Sequence, residues 1–331
     1  MCILGNHSGV IFNQTSDTLF KTLETSLYVY ILPVIVVTGS IGNVAALAIF
    51  WKGKFRHLSV GVYMRVYSII NLLNLFLIFG QSWIVDTFST NSIDNLSGWT
   101  CKVWNFFYRV ISYSCVWLIV GLTVDRYLYV CHPLDAKRLC TVFLAKIAIA
   151  FIFVGLTVVS VHAMWSYLIM DGKCIMDPCQ DLHITIWRWI TMSVYCFVPF
   201  CALFILNIRL IIGVYKRKQK LEKAQRNYDF VSATLAISVM YLALNLPGTI
   251  TNIKEYVDWP SYVSIERVIS DFLSCGNPTA FFFLCLIFSK TFRNELVLRL
   301  RKKSKVSKPI NMNMTGINKY EYIECASETF V

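Results

Sequence analysis

An acid and a guanidinium stand side by side where an apolar run ends. In LIVGLTVDRYLYVCHPL, Leu118 to Leu134, Asp125 precedes Arg126 and Tyr127, and His132-Pro133 closes the stretch. An arginine at the edge of an apolar segment is tolerable when a carboxylate stands beside it. The chain shows no metal-ligand spacing, no glycine-rich phosphate loop and no nucleophile elbow. No catalytic residue, metal or cofactor is therefore expected, and the chain is not expected to be an enzyme.

The segments that must position this pair are greasy. Of 331 residues, 56% are hydrophobic and only 15% charged, whereas soluble domains carry about a quarter charged residues. A membrane span needs roughly 20 apolar residues. Seven such stretches occur, at about Leu27–Phe50, Val62–Ile84, Phe106–Val130, Phe143–Ala163, Ile190–Val214, Val231–Ile250 and Ile269–Phe288. They are apolar almost all round rather than on one face, and aromatic residues gather near their ends. The expected fold is an all-α membrane protein, a seven-transmembrane helix bundle with a short amphipathic eighth helix. The expected divisions are an outer tail 1–25, the bundle 26–289, the eighth helix 290–303 and a disordered tail 304–331.

Charge placement sets the orientation. The net charge is +12, and most basic residues fall in WKGKFRH, DAKRL, YKRKQKLEKAQR and RLRKKSKVSK, all on one side. By the positive-inside rule that side is cytoplasmic, so the N-terminus is expected outside. The sequons at Asn6, Asn13 and Asn95 then lie outside as glycosylation candidates, whereas Asn313 lies inside and is expected to stay bare. The basic residues face anionic lipid on this reading, so no nucleic acid partner is expected. The first residues lack a basic start and a continuous apolar core, so no cleavable signal peptide is expected. The seventh stretch contains no lysine for a retinal Schiff base, and no internal repeat of the transporter kind is present.

With Asp125-Arg126-Tyr127 at the inner end of the third span, the chain resembles the rhodopsin-like (class A) G-protein-coupled receptors. The other landmarks keep the family's order: Gly42-Asn43 in the first span, Pro199 in the fifth, Pro247 in the sixth and Phe292 as the anchor of the eighth helix. The resemblance implies that Asp125, Arg126 and Tyr127 couple to a heterotrimeric G protein, with arrestin as a further partner. It also implies a disulfide from Cys101 to the second outer loop, which offers Cys174 and Cys179. Cys174 is preferred because Cys179 lies very close to the fifth span, and the spare cysteine stays free or pairs with Cys2. Cys101 stands about 37 Å of helix from Arg126, enough to cross a bilayer.

The family's switch positions are altered. Asn71 stands where the family carries its sodium-binding aspartate, opposite Cys115, so no sodium site is expected. Asn207 replaces a tyrosine, Tyr241 a phenylalanine and Asn245 the toggle tryptophan. Counting back from Phe292 puts Phe281-Phe282 at the family's Asn-Pro, with Asn277 a turn above. Asn43, Asn71, Asn207, Tyr241, Asn245, Pro247 and Asn277 form the expected activation core, and the asparagines can also serve simply as hydrogen bonds between helices.

Tyr108, followed by Arg109, occupies the place where aminergic receptors hold an aspartate, which argues against an amine ligand. The fifth, sixth and last helical stretches resemble invertebrate FMRFamide-type neuropeptide receptors and related nematode chemoreceptors. That implies an extracellular peptide ligand ending in Arg-Phe-amide, suited to an acidic pocket. Asp86 and Asp271 are the candidate acids, with Gln81, Tyr108, Arg109, Trp187 and Trp189 as further pocket residues. The alternatives are a receptor for small external molecules, or a transporter or non-signalling scaffold. The terminal Thr329-Phe330-Val331 resembles a ligand for a PDZ-domain protein, with Thr329 and Val331 as its determinants.

Overall fold

The computed structural model describes residue 22 and residues 24–177, 181–218, 229–256 and 263–306. Cys2, Asn6, Asn13, Cys179, Asn313, Thr329 and Val331 lie outside the described residues. Among the described residues, seven helices are long and apolar enough to cross a membrane: α1 (Glu24–Trp51), α2 (Ser59–Phe88), α3 (Gly98–Cys131), α4 (Val142–Ser166), α5 (Thr185–Lys216), α6 (Phe230–Lys254) and α7 (Glu266–Phe288). A further helix, α8 (Lys290–Val306), follows at once. Each expected apolar stretch lies inside one of the seven helices, which overrun it where polar ends continue the same backbone. Thus α1 enters residues assigned to the tail, and α8 runs past 303 with no proline before Pro309.

The 34 residues of α3 span about 51 Å, well beyond the ~30 Å hydrocarbon core. It is the central post of the bundle and packs on α2, α4, α5 and α6, while α1 and α6 flank α7. Its start is fixed by a capping box: Ser97 Oγ accepts from Thr100 N at 3.2 Å, and Thr100 Oγ1 accepts from Ser97 N at 2.8 Å. α1 and α7 approach closely at Gly42, where a Cβ would sit 2.9 Å from Phe282 Cβ. Phe292 is fully buried against Phe50 and Phe282, ring centroids 5.3 and 5.8 Å away. Arg299 of α8 donates to Ile49 O at 2.9 Å and to Ala48 O, joining α8 to the last carbonyls of α1.

Three membrane helices carry a π-helical turn: Leu27–Ile31 in α1, Asn74–Phe79 in α2 and Ser193–Phe197 in α5. The last lies just before Pro199, which has no N–H to continue the regular ladder. Between α4 and α5 the chain forms a hairpin of β1 (Tyr167–Met170) and β2 (Lys173–Met176), with Ile169 opposite Cys174. Its turn is Asp171-Gly172, both at positive φ (50° and 73°), the backbone that suits a tight hairpin. A disulfide joins Cys101 at the start of α3 to Cys174 of β2, Cα to Cα 5.5 Å. Asn95 Oδ1 accepts from Cys174 N at 2.7 Å and holds the same strand a second time.

Candidate functional site

At the end of α3 away from the hairpin, Asp125 and Arg126 are buried, 7% and 6% exposed. Arg126 Nε donates to Asp125 Oδ2 at 3.0 Å, and Nη2 reaches the same oxygen. Ser59, the first residue of α2, bridges the pair: its Oγ donates to Asp125 Oδ2 at 3.1 Å and accepts from Arg126 Nη2 at 3.3 Å. The guanidinium also lies over the Tyr129 ring, 5.0 Å from the centroid. Tyr127 points elsewhere, its hydroxyl 3.3 Å from His132 Nε2. Cys140 donates its thiol to Asp125 O at 3.4 Å, and burial next to Asp125 pushes that thiol up to about 11. Among the described residues, Arg126 forms its ion pair with Asp125, so the pair is held by α2 and α3 without an acid from α6.

Halfway through the bundle the asparagines bridge helices. Asn43 Nδ2 donates to Pro278 O at 2.7 Å and to Gly39 O at 2.8 Å, and Asn71 Nδ2 donates to Asn43 Oδ1 at 3.1 Å. These bonds tie α1 to α7 and α2 to α1. Asn207 Oδ1 accepts from Ser238 Oγ at 2.8 Å, between α5 and α6. Asn245 Oδ1 accepts from Ser274 Oγ at 3.3 Å, between α6 and α7, four residues above the Tyr241 carbonyl that its own amide caps at 3.0 Å. Pro247 sits inside α6 and Thr251 Oγ1 donates to its carbonyl at 3.0 Å. Phe281 packs edge-on to Tyr67, 5.0 Å away, deep in the core.

At the hairpin end two cavities adjoin. The larger, about 410 Å³, is bounded by Tyr108, Arg109, Tyr167, Tyr195, Arg267 and Asp271 and runs down to Asn71, Asn74, Tyr241, Asn245 and Asn277. The smaller, about 310 Å³, is lined by Glu24, Gln81, Asp86 and Trp104. Tyr28, Ile78, Ser82 and Tyr108 border both. Asp271 lies open to the larger cavity and accepts from Tyr28 Oη at 3.1 Å. Gln81 Nε2 donates to Ser92 Oγ at 2.5 Å. Arg109 Nη2 donates to Tyr167 Oη at 2.6 Å with its Cζ 4.9 Å from that ring's centroid, so the hairpin supplies one wall.

Five of the seven expected pocket residues, Gln81, Asp86, Tyr108, Arg109 and Asp271, thus border a cavity. Trp187 and Trp189 do not, and the reading that put them there is corrected. Trp187 stacks on His162 of α4 at 4.4 Å and 5° between planes, while Trp189 is 49% exposed on the outside of the bundle. They stand two residues apart on a helix, so they face different directions, and neither direction is the cavity. Sequence reading missed Ser59, Tyr28 and Tyr167. Ser59 carries no local signal, because its partner lies 66 positions away. Tyr167 was reachable through Asp171-Gly172 between two apolar runs, a hairpin signature.

Residues 42–294 match the sequence model of the family described as 7 transmembrane receptor (rhodopsin family). Sex peptide receptor-related protein 2 of Caenorhabditis elegans is 27% identical over 276 residues, covering 70% of this chain and 60% of that protein. The FMRFamide receptor of Drosophila melanogaster is 25% identical over 210 residues, covering 57% of this chain and 38% of that protein. Cysteinyl leukotriene receptor 2 of Sus scrofa is 22% identical over 320 residues, 90% of this chain and 87% of that protein. The chain therefore spans less than two thirds of the length of the first two relatives.

Proposed function

Because the chain belongs to the rhodopsin family of seven-transmembrane receptors, a family of receptors rather than enzymes, we propose that it binds an extracellular amidated peptide of the Arg-Phe-amide kind and activates a heterotrimeric G protein. The observation that carries this reading is the pairing of two ends on one post. Around α3, an acid-bearing double cavity lies at the hairpin end and a closed Asp125-Arg126-Ser59 latch at the other. The peptide's guanidinium meets Asp86 or Asp271 and its aromatic side chain packs on Tyr108. Ligand binding shifts α6 about Pro247, and the parting helices free Arg126 for the G protein.

In this reading the hairpin end faces outward and the basic loops face the cytoplasm, as the positive-inside rule favours. The protein sits in the plasma membrane as a multi-pass receptor, Asn6, Asn13 and Asn95 carry glycans, and arrestin and a PDZ-domain protein bind on the inner side. The names of the nematode and fly relatives support a peptide ligand.

The test is a panel of amidated peptides on cells expressing the chain with a promiscuous G protein, alongside Arg126→Ala and the Asp86→Asn, Asp271→Asn pair. Expected is a response to Arg-Phe-amide peptides, lost in the arginine variant at equal surface expression and weakened in the acid variants. A second reading, a receptor for small non-peptide molecules, draws on the modest 410 Å³ of the larger cavity, within the usual small-ligand range, and on the leukotriene-receptor relative. Silence to every peptide with normal surface expression would favour it. Saturable uptake of solute would point instead to a transporter.

A further inference from the structure

The guanidinium of Arg109 is incompletely paired. Its Nη2 is bonded to Tyr167 and the Tyr113 phenol also lies beside the guanidinium, but among the described residues Nε and Nη1, both shut off from solvent, have no hydrogen bond of ordinary geometry. Among the described residues, the ion pairs are Arg126–Asp125 and Lys254–Glu266, so no carboxylate answers Arg109. Arginine cannot shed its proton to escape this position. A buried charge of that kind calls for an opposite charge, and the side chain borders the larger cavity. The smaller cavity has Glu24 and Asp86 in its wall and, among the described residues, no basic one, whereas the larger carries Arg109 and Arg267 with Asp271. Tyr28 and Tyr108 stand on the boundary between the two.

We propose that the joined cavities are a bipolar site: an anionic group of the ligand, a carboxylate, sulfonate or phosphate, draws the Arg109 guanidinium to itself at the wall of the larger cavity, and a cationic group of the same ligand sits between Glu24 and Asp86. The cationic half rests on the peptide-receptor reading; the anion site at Arg109 does not. The ligand is thereby oriented, with its acid in the deeper chamber beneath the hairpin and its base towards α1 and α2. Tyr167 serves as a positioning residue, holding the guanidinium from one side at the cavity wall.

The experiment uses one amidated peptide scaffold in three forms: with an acidic and an Arg side chain, with the acid changed to its carboxamide, and with the Arg changed to citrulline. On the unaltered receptor, loss of the acid is expected to weaken potency about tenfold or more, the size of a charge-assisted hydrogen bond. On Arg109→Gln the acid and carboxamide forms become equipotent, and Arg109→Lys restores part of the difference. On Asp86→Asn the Arg and citrulline forms converge while the acid still matters. Equal potency of acid and carboxamide forms on the unaltered receptor, or an undiminished difference on Arg109→Gln, overturns the proposal.

A second arm needs no peptide activity. Purified full-length receptor and Arg109→Gln are melted with benzoate, benzenesulfonate and inorganic phosphate. Expected is a concentration-dependent rise in melting temperature for the unaltered receptor alone. If no peptide acts but the anions stabilise only the unaltered receptor, the peptide reading falls and the anion site stands. If peptides act without regard to their acid and the anions do nothing, the anion site falls and the peptide reading stands.

Discussion

Two arginines on α3, about 25 Å apart along the helix, meet opposite fates. Arg126 is fully provided for: Asp125 beside it, Ser59 from the next helix and the face of Tyr129. Arg109 has the phenols of Tyr167 and Tyr113 beside it, but its Nε and Nη1 make no hydrogen bond of ordinary geometry among the described residues. The partners that close Arg126 come from the chain itself, so that end is complete without any visitor. Among the described residues no carboxylate pairs with Arg109. On the readings proposed above, the satisfied charge serves as a latch and the unsatisfied one as a socket, according to what the neighbours supply.

The comparison breaks most severely if the hairpin is released. Cys101→Ser is expected to free β2 and withdraw Tyr167 from Arg109, costing about 2–5 kcal/mol as for other native disulfides. Surface expression and ligand response should both collapse while the latch residues are untouched, and normal peptide potency in this variant would refute the hairpin's role. Next in size is Asp125→Asn, which leaves Arg126 buried against a neutral partner. Breaking a buried pair in this way costs about 3–5 kcal/mol, so basal G-protein signalling should rise steeply without ligand, read as ligand-free nucleotide exchange. A smaller effect is expected for Ser59→Ala, which removes one bridge and leaves the ion pair. Basal signalling should rise by about tenfold at most, with no change in peptide affinity.

The smallest effect sharpens the view of the latch. Because burial beside Asp125 raises the Cys140 thiol to about 11, the reactive thiolate is scarce at neutral pH and grows only as pH climbs towards that value. Cys140 should alkylate slowly at pH 8, measured by mass spectrometry. It should label faster in Asp125→Asn, where the acid that disfavours the thiolate is gone. Equal rates in the two proteins would show that Asp125 does not govern the thiol.

The membrane helices were legible in the sequence because their signal is local: a long stretch apolar on every side admits few other structures. Cys101 and Asp125-Arg126 were legible because one helix fixes their separation. The side of α5 that faces the cavity was not legible. Trp187 and Trp189 stood at the right depth, but helical phase near a π-turn is set by packing that no local pattern records. Ser59 was invisible for a related reason, since a serine gains meaning only from what α3 brings to it. The asparagines fell between these cases. Their type announced hydrogen bonding inside the bundle, yet only the fold shows that Asn43 and Asn71 bond each other while Asn207 and Asn245 take serines.

The π-turn at Asn74–Phe79 makes chain length itself a determinant of recognition. Such a turn holds one residue more than the regular spiral needs, and each residue of an α-helix advances its neighbours by about 100°. Deleting a single residue there is expected to let α2 relax into an unbroken spiral and turn Gln81 and Asp86 round the helix axis relative to Asn71. A one-codon deletion would thus re-aim two residues of the smaller cavity's wall without changing either of them.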